Sequence, residues 1–296
     1  MSKYAFFRGC FIPVRAPHLE YVARKIFPEL GVELVDVDGF TCCPEPTGFS
    51  IHEKLTWLTM AARNICQAEE QGLDIVTLCN GCYYTLGHTI EELEDMQLRA
   101  QVNEVLAETG HRYTGKSKVR HFVEVLIEDV GASKIKQLVK QPLNGLKVAT
   151  HTGCHFSNRF GSAAAVLDEL VELLGASTVE YDTKNLCCGW SIGTYGDKEE
   201  GYDWLRNRLE NLRKADADCI AVICPQCYNQ FDTGQMMAAR KTGLDFKIPV
   251  LFYLQLLGLA MGYSLEEMQY GSHRVTDQRL VEKINAIKGA QPLMVE

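Results

Sequence analysis

An apolar run that ends in a Cys-x-x-Cys unit occurs twice, as DIVTLCNGC at residues 74–82 and as CIAVICPQC at residues 219–227. Continuous apolar runs of this length are typical of strands that are buried on both faces, as in parallel sheets. The second run begins 145 residues after the first. We therefore expect the chain to contain two copies of one folded unit.

The repeat includes ten of the twelve cysteines. In each copy a lone cysteine follows an apolar run, a vicinal pair comes about thirty residues later, and the Cys-x-x-Cys unit closes the pattern. The two sets, in matching order, are Cys10, Cys42, Cys43, Cys79 and Cys82, and Cys154, Cys187, Cys188, Cys224 and Cys227. Cys66 and Cys219 fall outside the pattern, and we expect them to be buried, inert thiols.

Segments of helical period separate the apolar runs in both copies, at 17–30 and 53–70 and again at 162–174 and 199–214. Alternating strands and helices are typical of α/β units with a parallel core. The predicted fold is therefore α/β, with two pseudo-symmetric repeats, each a small, mainly parallel sheet with flanking helices.

An Asn-Gly turn at 144–145 indicates where the first copy ends. We expect a first domain at 1–144 and a second at 145–263. The polar and charged segment 264–296 is predicted to be a C-terminal tail or docking segment.

Composition excludes several classes of protein. The formal net charge is −8 and the isoelectric point is about 5.6, which disfavours binding to nucleic acids. The longest apolar stretch, 248–262, is shorter than the roughly 20 residues that span a bilayer. No signal-peptide pattern is present at the N-terminus, so we expect a cytoplasmic protein. Cysteines in that reducing compartment are more often metal ligands or redox groups than disulfides.

Each copy supplies five thiolates, and this number can be compared with the number of ligands that each candidate cofactor requires. Zinc takes four ligands, commonly as two short-spaced pairs, and the vicinal pair does not match that arrangement. A thiol redox centre built on Cys-x-x-Cys would leave three cysteines of each copy unused. A cubane iron–sulfur cluster needs four thiolates. The fifth thiolate indicates either an unusual cluster with a bridging ligand or a redox group that faces the substrate.

The twofold pattern resembles the cysteine-rich CCG domain, duplicated as in the B subunit of heterodisulfide reductase, over residues 3 to 262. The resemblance implies that each set of five cysteines holds one noncubane [4Fe-4S] cluster. It also implies an oxidoreductase that reduces the mixed disulfide of coenzyme M and coenzyme B to the two thiols, as in methanogenesis.

The resemblance further implies partners that supply electrons, because the sequence has no Gly-rich dinucleotide motif and no ferredoxin-type cysteine set. These are the ferredoxin-like iron–sulfur C subunit, the flavin-containing A subunit, and, further upstream, hydrogenase or formate dehydrogenase modules. The expected substrate is a small-molecule disulfide. Neither nucleic acid nor a direct membrane span is expected.

Two other functions stay open. CCG domains also occur in electron-transfer subunits of thiol:fumarate reductases and of lactate- or glycolate-oxidising complexes, which have different acceptors. A zinc-binding structural or assembly protein would use the same cysteines without redox turnover. Iron and sulfide analysis separates the zinc protein from the two redox proteins.

Reduction of a disulfide to two thiols consumes two protons, so a proton donor is expected beside the cysteines. His155 directly follows Cys154, and His52 lies nine residues after Cys43. These two histidines are the candidates for that role. His151, three residues before Cys154, competes with them.

Overall fold

The computed structural model describes residues 2–160 and 163–289, which form two compact units. The first unit comprises residues up to 20 together with 27–130, and the second comprises 21–26 together with the residues from 131 onward. Each unit contains one four-stranded sheet. The domain boundaries predicted at 144 and 263 remain a proposal.

All strands run parallel within their sheets. The first sheet consists of β1 (Ser2–Phe7), β2 (Val32–Val35), β3 (Asp74–Thr77) and β4 (Val119–His121). The second consists of β5 (Lys147–His151), β6 (Ser177–Val179), β7 (Cys219–Val222) and β8 (Val250–Phe252). The spatial orders are β2-β1-β3-β4 and β6-β5-β7-β8, so the two units share one topology. The predicted α/β fold with duplicated parallel sheets is confirmed.

The central strands are buried on both faces because their side chains are apolar without interruption. Ile75 and Val76 of β3 point to opposite faces, and both are fully buried. Ile220 and Ala221 of β7 are fully buried as well. This burial explains why the two apolar runs lack the alternation of a half-exposed strand.

Helices connect the strands in both units. Those of the first half are α1 (Phe11–Arg15), α2 (Pro17–Glu29), α3 (Phe49–His52), α4 (Lys54–Glu70), α5 (Asn80–Glu92), α6 (Met96–Ala107), α7 (Phe122–Glu124) and α8 (Ala132–Leu138). Those of the second half are α9 (Cys154–Phe160), α10 (Ala163–Glu172), α11 (Trp190–Tyr195), α12 (Lys198–Lys214), α13 (Pro225–Asn229), α14 (Gln235–Thr242), α15 (Tyr253–Ala260) and α16 (Gln278–Gly289). Short π-helical segments occupy Val125–Val130 and Gln230–Gly234, and a 3-10 turn occupies Tyr270–Ser272.

Within the described residues, every helix is too short or too polar to cross a lipid bilayer.

The C-terminal segment packs on the second unit as far as the described residues extend. Leu280 and Ile284 of α16 are buried. Gln255 of α15 donates from Nε2 to the Met268 carbonyl at 2.7 Å, and its amide also lies 2.8 Å from His273 Nε2. Residues 290–296 of the predicted docking tail lie outside the described residues, and the docking role stays a prediction.

Asp232 ties this segment to the sheet-bearing part of the unit. Its buried carboxylate accepts hydrogen bonds from the backbone N–H groups of Arg274, at 3.0 Å, and Val275, at 2.9 Å. We expect Asp232→Ala to lower the free energy of unfolding by about 1–3 kcal/mol, because two backbone donors lose their acceptor. Urea denaturation measures this change, and limited proteolysis should show faster cleavage after residue 273.

Asp245 supplies the matched control because it is exposed and pairs only at the surface, with Lys247 at 3.0 Å. Asp245→Ala should change the free energy of unfolding by less than about 0.5 kcal/mol. Equal effects of the two substitutions would contradict an anchoring role for Asp232.

Candidate functional site

The five cysteines of each repeat lie at the carboxyl edge of a sheet. In the first unit Cys10 follows β1, Cys79 follows β3 and precedes α5, and Cys82 lies in the first turn of α5. Cys42 and Cys43 lie on the loop between β2 and α3. The chain passes from β1 outward to β2 and then returns to the other side of β1 as β3. Ligands of open parallel sheets bind at such a switch point, outside the carboxyl ends of the strands.

The sulfur atoms of the first set form one connected chain. Cys10 Sγ lies 3.7 Å from Cys42 Sγ. Cys42 then contacts Cys43, Cys43 contacts Cys82, and Cys82 contacts Cys79, each through a thiol hydrogen bond. Residues separated by up to 72 positions in sequence are thus brought to one place.

The second set repeats this connectivity in the same order. Cys154 Sγ lies 3.7 Å from Cys187 Sγ. Cys187 contacts Cys188, Cys188 contacts Cys227, and Cys227 contacts Cys224. The duplication therefore extends from the spacing of the cysteines to the contacts among their side chains.

Each set is open at one end and closed at the other. Cys43, Cys79 and Cys82 are buried, whereas Cys42 is half-buried and Cys10 is exposed. In the second set Cys188, Cys224 and Cys227 are buried, and Cys154 and Cys187 are half-buried. Within the described residues, the accessible end of each set is the one formed by the lone cysteine and the first cysteine of the vicinal pair.

The thiols of each set differ in acidity. Hydrogen bonds from Cys42 and Cys82 lower the pKa of Cys43 to about 6, and hydrogen bonds from Cys154 and Cys188 lower the pKa of Cys187 well below its usual range. The hydrogen bond to its neighbour raises the pKa of Cys10, and the same cause raises the pKa of Cys154. Binding of a metal at Cys10 or Cys154 would therefore displace a proton.

The residues present suit a metal–sulfur cofactor. The donors are all sulfur, which favours zinc, copper(I) or iron–sulfur clusters over hard cations. A ring nitrogen of His151 and the Sγ atoms of Cys188 and Cys227 lie within 4.8 Å of one another. Gly9 has a φ of +63°, and a Cβ there would stand 2.8 Å from Cys82 Sγ. Glycine thus leaves room beside the first set that another residue would fill.

The backbone of each vicinal pair is held by a side chain from the following long helix. In the first unit the Asn64 amide donates from Nδ2 to the Cys42 carbonyl at 3.1 Å. In the second unit the Cys187 carbonyl accepts from Arg208 Nε at 2.5 Å and from Trp204 Nε1 at 2.9 Å. These three residues carried no signal in the cysteine pattern.

The candidate proton donors differ in position. His155 lies in the first turn of α9, directly after Cys154, and is half-buried. His52 ends α3 and is exposed. His151 ends β5 and is almost completely buried, and burial lowers its pKa to about 4. The proton-donor role of His155 and His52 stays a prediction, and the structure adds His151 to the surroundings of the second set.

The two cysteines outside the pattern are fully buried. Cys66 lies in α4 and Cys219 begins β7. Burial raises the pKa of Cys66 to about 12, and it raises the pKa of Cys219 as well. Both thiols are therefore protonated at neutral pH.

Comparison with solved structures shows a likeness of fold alone. A hypothetical protein from Helicobacter pylori superimposes with a TM-score of 0.74 at 16% sequence identity, over 93% of this chain and 52% of that one.

Comparisons of sequence show the family. The cysteine-rich CCG domain matches twice, at residues 4–87 and 148–232. The chain is 40% identical to the B subunit of the ferredoxin/F(420)H(2)-dependent CoB-CoM heterodisulfide reductase of Methanosarcina acetivorans, over 97% of this chain and 98% of that protein. It is 30% identical to the 8-methylmenaquinol:fumarate reductase membrane anchor subunit of Wolinella succinogenes, over 93% and 98% of the two chains. The chain belongs to the family of heterodisulfide reductase B subunits, whose cysteine-rich CCG domain it contains twice.

Proposed function

We propose that this chain is the catalytic iron–sulfur subunit of a heterodisulfide reductase, and that it reduces the disulfide of coenzyme M and coenzyme B to the two thiols. In coarser terms it is a CCG-domain iron–sulfur electron-transfer subunit of an oxidoreductase, as the names of its relatives support. The proposal rests above all on the two sets of five connected sulfur atoms.

We further propose that each set holds one noncubane [4Fe-4S] cluster. Five thiols converge in each unit, which is one more than a cubane cluster needs. The proposed ligands are Cys10, Cys42, Cys43, Cys79 and Cys82 for one cluster, and Cys154, Cys187, Cys188, Cys224 and Cys227 for the other.

The reaction consumes two electrons and two protons, and it breaks one S–S bond to form two S–H bonds. The clusters, when bound, supply the electrons. The open end of each set, at Cys10 and Cys42 or at Cys154 and Cys187, leaves sulfur accessible to a disulfide in solution. His155 adjoins Cys154 at such an end and would donate a proton to the departing sulfur. His52 is the corresponding candidate in the first unit.

The electrons would come from partner subunits. We propose that these are a ferredoxin-like iron–sulfur C subunit, which lies next in the chain of electron transfer, together with a flavin-containing A subunit, supplied in turn by hydrogenase or formate dehydrogenase modules. The Methanosarcina acetivorans relative belongs to an enzyme named as ferredoxin/F(420)H(2)-dependent, which supports an electron source outside the B subunit.

A second candidate function has support from the Wolinella succinogenes relative, which is named as a subunit of a quinol:fumarate reductase. On this alternative the same cysteines carry electrons between a quinol and fumarate, and no disulfide binds at their open ends. The two functions therefore differ in which small molecule should perturb the clusters.

Anaerobically purified protein is expected to contain iron and labile sulfide, and its EPR spectrum should change when the coenzyme M–coenzyme B disulfide is added. The change arises because sulfur from the substrate would reach the open end of a cluster. Cystine is the control, because it also contains a disulfide bond but differs in shape from the coenzyme disulfide. Its addition should leave the EPR spectrum unchanged.

Two outcomes would contradict this proposal. Iron–sulfur protein that responds to a menaquinol analogue but not to the coenzyme disulfide would favour the alternative. Zinc in place of iron, with no labile sulfide, would remove both redox functions.

A further inference from the structure

The two cysteine sets are held by corresponding positions of corresponding helices. Helices α4 and α12 each have 17 residues, and Asn64 and Arg208 each occupy the eleventh position. Both side chains donate to the carbonyl of the first cysteine of the vicinal pair. Both also donate to the carbonyl four residues earlier in their own helix, Asn64 at 3.0 Å and Arg208 at 3.4 Å. One structural role is thus filled by a neutral amide in the first unit and by a cation in the second.

The guanidinium of Arg208 is buried without a counter-charge in the part of the chain that the structure describes. Arg208 is only 2% exposed. Its Cζ lies 4.4 Å from the centroid of the Trp204 ring, and its buried Nη2 has no hydrogen-bond partner among residues 2–160 and 163–289. Arginine keeps its proton in proteins, so a positive charge is fixed at this point.

The groups that can carry a compensating negative charge are the cysteines. Arg208 interacts electrostatically with the thiols of Cys187 and Cys188 and with Tyr181. A buried charge is unfavourable unless an anion accompanies it. A set of thiolates that binds an iron–sulfur cluster would supply that anion. The buried cation fits such a cofactor at the second set.

A second difference between the units lies at the ends of the corresponding strands. The last residue of β5 is His151, whereas the last residue of β1 is Phe7. A ring nitrogen of His151 lies near the sulfurs of Cys188 and Cys227. The ring also makes a backbone hydrogen bond with Lys184. The imidazole ring of His151 therefore lies beside the sulfurs of the second set, whereas the corresponding strand of the first unit ends in the phenyl ring of Phe7.

We propose that the two sites are electrically unequal, and that Arg208 holds the cluster at the second set at a higher reduction potential than the cluster at the first. The potential of an iron–sulfur cluster depends on nearby charge, on hydrogen bonds to its sulfurs and on its exposure. A single electron from an external donor such as dithionite enters the second site first, with no bond formed or broken. This inference rests on the proposed function, since it assumes that both sets hold clusters.

An EPR-monitored redox titration of the anaerobic protein tests the inference. Wild-type protein should show two reduction steps. Arg208→Gln keeps a hydrogen-bond donor but removes the charge, and it should lower the higher midpoint. At a fixed potential the ratio of reduced to oxidised cluster should fall at least tenfold, which corresponds to about 59 mV for one electron. Arg208→Lys, which keeps the charge, should restore most of this difference.

Arg206 offers a matched control on the same helix. Its side chain is 42% exposed and pairs with Asp203 at 3.3 Å. Arg206→Gln also removes one positive charge, and it should leave both midpoints unchanged because solvent screens exposed charge. Two further variants assign the reduction steps to the sets. Cys43→Ala disrupts the first set and Cys188→Ala disrupts the second. The step at the higher potential should therefore remain in Cys43→Ala protein.

The outcomes separate this inference from the proposed function. Iron–sulfur clusters with a single shared midpoint, or an Arg208→Gln titration equal to that of wild type, would overturn the inference alone. Unequal midpoints in clusters that ignore the coenzyme disulfide would overturn the proposed function and leave the inference standing. Protein without iron and sulfide would overturn both. If Arg208→Gln fails to fold, the single-set variants still decide whether the two potentials differ.

Discussion

Cys188→Ala protein is expected to contain about half the iron of the wild type, falling from about eight to about four atoms per chain if each set holds one [4Fe-4S] cluster. The expectation follows from the position of Cys188 within its set. It is buried and contacts both Cys187 and Cys227, so its removal divides the connected sulfurs into two separate pairs. Iron and sulfide analysis of anaerobic protein measures the loss.

Loss of a terminal cysteine of the same set should affect the iron content less than loss of Cys188. Cys154→Ala leaves four sulfurs in contact, the number that a cubane cluster requires. We expect this variant to keep its iron while its EPR spectrum changes. Cys219→Ala serves as the control, because it removes a buried thiol of the same unit outside the set. Its iron content should equal that of the wild type, and equal iron in the Cys154 and Cys188 variants would contradict the connected geometry.

Gly189→Ala should destabilise the second unit by about 2–6 kcal/mol and deplete its iron. Gly189 has a φ of +83°, a conformation that costs a residue with a Cβ about 1–3 kcal/mol. The added Cβ would stand 2.3 Å from Cδ1 of Trp204, and relieving such a clash costs about 1–3 kcal/mol more. The ring cannot move aside without loosening its hydrogen bond to the Cys187 carbonyl.

Gly145 separates the two causes, since its φ is +86° but a Cβ there would meet no atom within 4 Å. Gly145→Ala should therefore show the conformational cost alone, about 1–3 kcal/mol, and retain full iron. Urea denaturation and iron analysis of both variants provide the comparison. Full iron in Gly189→Ala protein would show that the Trp204 contact does not position the vicinal pair.

Much of the architecture could be predicted from the repeat in the sequence. Uninterrupted apolar runs predicted central parallel strands, and β3 and β7 are buried on both faces. The helix predicted at 53–70 begins one residue later, at Lys54, and the one predicted at 199–214 begins one residue earlier, at Lys198. These predictions succeed because a buried strand and an amphipathic helix each leave a periodic signature in sequence.

Strand order and the contacts across the sheet edge could not be predicted in this way. Nothing in the spacing shows that β3 returns beside β1, which is what brings Cys10 into line with Cys79 and Cys82. The anchoring residues were missed for a related reason, since Asn64 and Arg208 differ in type and lie within ordinary helices. Only alignment of the two 17-residue helices shows that they share a position.

The residue at this shared helix position affects the charge beside the cysteines but is not itself one of the five cysteines. The proposed cluster would require all five thiols of a unit, but the carbonyl of the vicinal pair accepts a hydrogen bond from an amide in one unit and from a guanidinium in the other. After the duplication, a single substitution there could retune one half of the molecule without disturbing a ligand. Under the proposed function, the two halves of the chain could specialise while all ten cysteines of the repeat are kept.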